Sequence, residues 1–94
     1  MNLQEHLLTC MAEECVETAQ RITKALRFGL EEIQPGQPLT NLQRINVELT
    51  DLMAVASMLN DHGVDIKPDP DGFLFKKAKV MKFALYAKDQ GALQ

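Results

Sequence analysis

The chain of 94 residues is long enough for one domain and too short for two. Its 46% hydrophobic and 24% charged residues are the mix of a globular protein and argue against disorder. A formal net charge of −3 argues against a general nucleic-acid surface, and no run of about 18 apolar residues exists to span a membrane. A chain this small buries only about 60% of its unfolded surface, so oligomerisation is expected to add burial. The segment Met1 to His6 has neither the basic start nor the apolar core of a signal peptide, and a cytoplasmic setting is the expectation.

The first predicted element is a helix over about residues 3–32. Leu8, Ala12, Cys15, Ala19, Ile22 and Leu26 recur at helical spacing and form a narrow apolar stripe. Glu14, Glu17, Arg21 and Lys24 share a different face, with Cys10 above them and Glu13 at its edge. Gly29 marks a weak point or an early end of the helix. Cys10 and Cys15, five apart, point in different directions and are not expected to bridge. Reduced thiols suit the cytosol, and both cysteines are read as packing residues without a histidine partner. His6 and His62 are read as surface residues.

Residues 33–39 hold two prolines and a glycine and are expected to form a loop. Thr40 or Asn41 then makes an N-cap for a second helix over about residues 41–61, closed by Gly63. Leu42, Ile45, Leu49, Leu52, Met53, Ala56 and Leu59 give it a wide apolar face. Glu48 intrudes on that face and Asp51 borders it. An acid so placed needs a bound cation, or Arg44 one turn earlier, because a buried unpaired charge is costly. Residues 64–72 are expected to be non-helical. Their acids Asp65, Asp69 and Asp71 are spaced as in a calcium loop, but the downstream glutamate of that motif is missing. The third helix is expected over about residues 73–90. Its apolar residues run around the whole circumference, which suits burial on more than one side, as at a dimer interface.

Glu14 with Glu17, and Glu48 with Asp51, are each spaced by three, so each pair shares one helix face. Two antiparallel helices therefore present four carboxylates to one another. Carboxylates that converge in a partly apolar setting repel and hold protons unless a cation is present. All-oxygen ligation suits a hard divalent ion, Mg²⁺ or Mn²⁺. The plainer reading, a solvated acidic face with a Glu17–Arg21 pair, fits the first cluster better than the second.

Glu13-Glu14-Cys15-Val16-Glu17 followed by Glu48-Leu49-Thr50-Asp51 resembles the signature of the MazG-type all-α nucleoside triphosphate pyrophosphohydrolases. The likeness extends to Lys24 and to Lys76-Lys77-Ala78-Lys79 in the last helix, and is nearest to the compact phage-type members associated with guanine nucleotides. It implies one all-α domain over residues 1–94, a helical hairpin plus a third helix whose four-helix-bundle-like sites are completed by oligomerisation, as a homodimer or homotetramer. It further implies Mg²⁺ held by Glu14, Glu17, Glu48 and Asp51, with Mn²⁺ able to substitute, and Glu13 as a further ligand or a base. Lys24, Lys76 and Lys79 would meet phosphates, and Asn46, Asn60 and Tyr86 a purine base. The implied reaction converts a (deoxy)nucleoside triphosphate, dGTP or GTP for preference, to monophosphate and pyrophosphate. The rival expectations are a non-catalytic helical interaction module and a phosphohydrolase acting on other nucleotides.

Overall fold

A computed structural model describes residues 1–94 and contains three helices and no strand: α1 (Leu3–Phe28), α2 (Asn41–Asp61) and α3 (Pro70–Asp89). Each start is fixed locally. The Asn2 side chain accepts from the Glu5 amide at 2.8 Å, which satisfies one of the amides left free at a helix start. Thr40 and Gln43 form a reciprocal capping box at α2, with bonds of 3.1 and 2.9 Å.

Two boundaries differ from expectation. α1 stops at Phe28, where Gly29 takes φ +100°, a left-handed geometry that other residues resist. α3 starts three residues early, at Pro70. Proline at the first helical position loses no hydrogen bond, and the Asp69 carboxylate accepts from the Gly72 amide at 3.2 Å. Residues 64–69 are non-helical as expected, and the last of their acids, Asp69, caps α3, while Asp65 pairs with Lys67 at 3.4 Å on the exposed linker.

α1 and α2 pack as a hairpin, and α3 packs against neither. The connection over residues 29–40 is tied to the start of α2. Asn41, a buried polar residue, donates through its side chain to the Gly29 carbonyl (2.8 Å) and the Glu32 carboxylate (2.9 Å). At the other end, Gln4 donates to the His62 carbonyl at 2.7 Å. Leu7 and Leu59 are buried towards this end, and Ala25 and Asn41 towards the loop end. The hairpin is therefore closed at both ends, with its middle left to other residues.

In α2 the predicted Ile45, Leu52, Ala56 and Leu59 do pack, but the packed stripe of α1 is not the predicted one. The stripe of α1 that meets α2 runs through Leu7, Cys10, Met11, Glu14, Thr18, Arg21, Lys24 and Ala25. The apolar stripe Leu8, Ala12, Cys15, Ala19, Ile22 and Leu26 faces away from α2, with Leu26 82% exposed. In α2 the packed stripe is Asn41, Arg44, Ile45, Glu48, Leu52, Val55, Ala56 and Leu59. Leu42, Leu49 and Met53, expected to be buried, are exposed. In both helices an exposed apolar residue directly follows a packed one. One step along a helix turns about 100°, in the same sense on each. In an antiparallel pair those two displacements fall on the same side, so the hairpin has one continuous apolar side.

The radius of gyration is 16.8 Å, against roughly 12 Å for a compact chain of this length. The excess comes from α3, which holds no buried residue and stands off from the hairpin.

Candidate metal centre

The residues that directly precede packed positions lie on the other side of the hairpin by the same geometry. They include Glu13 and Glu17 of α1 and Asp51 of α2. Glu14 and Glu48 belong to the packed stripes themselves, and so sit at the seam beneath Glu17 and Asp51. Ligand oxygens of Glu14, Glu17 and Glu48 all lie within 4.8 Å of one another. Helical spacing places Glu14 and Glu17 together, and the pairing of α1 with α2 brings Glu48 to them.

This cluster is short of counter-charge. Lys67 with Asp65 is the sole ion pair of the structure, so neither the Glu17–Arg21 pair nor the Arg44 compensation weighed above is formed. Arg44 donates instead to the Gln34 side chain at 3.0 Å, because the loop ahead of α2 folds over it. Glu14 Oε2 and Glu48 Oε2 are shielded from solvent and have no hydrogen-bond partner. Satisfying such atoms is the rule in folded proteins, so two on facing residues call for an explanation.

The electrostatics follow. The Glu14 carboxyl is pushed above its ordinary 4.5 first by desolvation and then by the charges of Glu17 and Asp51. Glu48 is pushed up by desolvation, by its contact with Glu17, and by the charges of Glu17, Glu14 and Asp51. Both residues are near the surface while single oxygens are shielded, so a small ion could reach them from the open side. The donor set fits a hard divalent cation: carboxylate oxygens close together, two of them unpartnered, with no thiol or imidazole among them.

The remaining predicted residues are dispersed. Glu13 lines a shallow groove on α1 with Thr9, Ala12, Val16 and Glu17. Asn46 shares one on α2 with Val47, Thr50 and Asp51, next to the acids. Lys24 lies over the Phe28 ring at 6.0 Å, towards the loop end. Asn60 is engaged elsewhere: its amide donates to the Ala56 and Ile66 carbonyls, holding the linker against the end of α2. Lys76, Lys79 and Tyr86 lie on α3, which a single chain does not bring to the hairpin.

One pairing was missed. His6 Nε2 and Cys10 Sγ are 3.6 Å apart, one turn apart on α1, so Cys10 does have a histidine neighbour. The i,i+4 spacing was the signal that could have found it. No helix of the structure is long and apolar enough to cross a membrane. Comparison with family models, with curated proteins and with solved structures finds no match to this chain.

Proposed function

We propose that the chain is a cytoplasmic, Mg²⁺-dependent nucleoside triphosphate pyrophosphohydrolase that works as a homodimer or homotetramer on a purine nucleotide, dGTP or GTP for preference. The observation that carries this reading is the pair of shielded, unpartnered oxygens on Glu14 and Glu48, facing each other across the hairpin with Glu17 beside them. A surface acidic patch has no need to turn carboxylates into a seam. A cation site does, and the acidic motif has the MazG-type spacing.

Glu14, Glu17, Glu48 and Asp51 would hold Mg²⁺ or Mn²⁺, which when bound neutralises triphosphate charge and makes water a better nucleophile. Glu13, beside Glu17, serves as a further ligand or takes the proton of the attacking water. Attack at the α-phosphorus breaks its bond to the α–β bridging oxygen, pyrophosphate departs, and the monophosphate remains. Lys24, Lys76 and Lys79 meet the charge that grows on the phosphate oxygens. Asn46 and Tyr86, with the carbonyl oxygen of Asn60, address the base. Those on α3 act only where copies assemble, since α3 leaves its own hairpin.

The test is a product assay by phosphorus NMR with each common NTP and dNTP, in Mg²⁺ and in EDTA. Metal-dependent pyrophosphate and monophosphate from one or two purine nucleotides is the expected result. Release of inorganic phosphate instead would assign another phosphohydrolase. No turnover by folded protein in Mg²⁺ or Mn²⁺ would favour the interaction-module reading, for which the exposed apolar surface of α3 is the supporting observation.

A further inference from the structure

The acidic part of the seam gives way to a basic part. Arg21 and Lys24 of α1 and Arg44 of α2 belong to the packed stripes, and each is partly buried. Arg21 lies one turn beyond Glu17 on α1, and Arg44 one turn before Glu48 on α2. The helices run antiparallel, tied by Gln4 to His62 at one end and by Asn41 to Gly29 at the other, so Arg21 and Arg44 come to the same level. Lys24 and Arg44 directly precede the packed Ala25 and Ile45, which puts them on the carboxylate side of the hairpin. Along that side the carboxylates come first and the cations follow, towards the loop end.

These cations have no acidic partner. The pairs Glu17 with Arg21 and Arg44 with Glu48, each spaced by four, are both unformed, and neither loop acid, Glu31 or Glu32, pairs with an arginine. Glu32 accepts instead from Asn41 at 2.9 Å. Charge drawn partly out of water is costly unless it is matched. Arg44 donates through Nη1 to Gln34 at 3.0 Å, which ties the guanidinium to the loop. A guanidinium has donors on three nitrogens, so this bond leaves most of them for a ligand.

We propose that Arg21 and Arg44, with Lys24, form a diphosphate subsite in the loop half of the seam. A guanidinium is a flat fork of donors that matches phosphate oxygens. Packed helices stand about 8–10 Å apart, a gap that two arginines close on a ligand with two linked phosphates, each meeting one fork. A lone phosphate engages one fork only. Gln34 is a positioning residue that acts through Arg44. The subsite belongs to a single hairpin and needs neither α3 nor a second copy. It rests on the proposed function in one respect: it names the groups that hold the β- and γ-phosphates, and then the departing pyrophosphate.

Calorimetry with inorganic pyrophosphate in EDTA tests the subsite apart from metal and turnover. The wild-type protein is expected to bind pyrophosphate about ten-fold more tightly than inorganic phosphate, since a charged hydrogen-bonding fork is gained. Arg21→Gln and Arg44→Gln should each weaken pyrophosphate about ten-fold, with helicity by circular dichroism checked alongside. Arg44→Lys keeps the charge, loses the fork and should recover little of the affinity. Gln34→Ala should weaken binding a few-fold, and should add nothing once Arg44→Gln is present. Four results would overturn the proposal: no pyrophosphate binding by folded wild-type protein at millimolar ligand, equal affinity for phosphate and pyrophosphate, binding untouched by both glutamine substitutions, or Arg44→Lys equal to wild type. Pyrophosphate binding without nucleotide turnover keeps the subsite and sinks the reaction. Turnover whose KM ignores Arg21→Gln and Arg44→Gln keeps the reaction and sinks the subsite.

Discussion

The hairpin and α3 are built from similar material and end in opposite situations. α3 is the more uniformly apolar, yet every residue the single chain buries lies in α1 or α2. Inside the hairpin the contrast repeats. The packed seam contains Glu14, Arg21, Lys24, Arg44 and Glu48, while a leucine and isoleucine stripe points outward. Hydrophobicity alone would reverse both arrangements. The single chain thus sets a seam rich in charge beside an uncovered apolar side.

The comparison can be broken first at its strongest contact. Leu59 is the one fully buried side chain, and Leu59→Ala should cost about 2–5 kcal/mol in urea unfolding. An exposed position normally changes stability by less than about 0.5 kcal/mol, so Leu85→Ala in α3 should be nearly silent in an isolated chain. With a second copy over α3 we expect that substitution to cost more than about 1 kcal/mol, and a silent Leu85→Ala would leave α3 a free arm.

Metal should act on the hairpin alone. Mg²⁺ at a hundred times its dissociation constant should stabilise by about 2.7 kcal/mol. Calorimetry should show the rise in Tm vanish in Glu17→Gln. A rise that survived Glu17→Gln and Glu48→Gln together would place the ion elsewhere.

The cap of α3 offers a smaller, local probe. Asp69→Ala removes the side chain that accepts from Gly72 and should cost about 1 kcal/mol. Hydrogen exchange should quicken in the first turn of α3 and stay unchanged in α1. Equal quickening of both would mean that the two regions unfold as one.

The subtlest effect is one of pH. Glu14 and Glu48 bind protons more readily folded than unfolded, since their folded pKa values are raised. Their contribution without metal is therefore favourable at and below the ordinary carboxylate range and is lost as pH rises from about 4.5 through the raised values. In EDTA, thermal melts should show a falling Tm across that interval, and Glu48→Gln should flatten the fall. A Tm that climbed with pH and ignored the substitution would show that these carboxyls are not crowded.

The elements themselves were legible. Thr40 with Gln43, Gly29 and Gly63 are local signals, because caps and left-handed glycines act over three or four residues. The early start at Pro70 differs from the expected one because proline, a breaker inside a helix, is an initiator at its first position. The acidic constellation was legible too, since helical spacing puts Glu14 beside Glu17 whatever surrounds them. Periodicity marks which residues share a stripe, but not what each stripe meets.

By itself, then, the sequence determined three helices, their caps, and two acid pairs each held on one helix face, all of which are short-range properties of the backbone. Only the tertiary structure decided which stripe turned inward, that Arg44 goes to Gln34 rather than Glu48, that Asn60 is spent on the linker, and that α3 leaves the hairpin. Those outcomes depend on how two helices rotate about their own axes when they meet. That rotation is set by the Leu7 and Leu59 end, the Asn41 end and the loop between the helices, acting together across the chain.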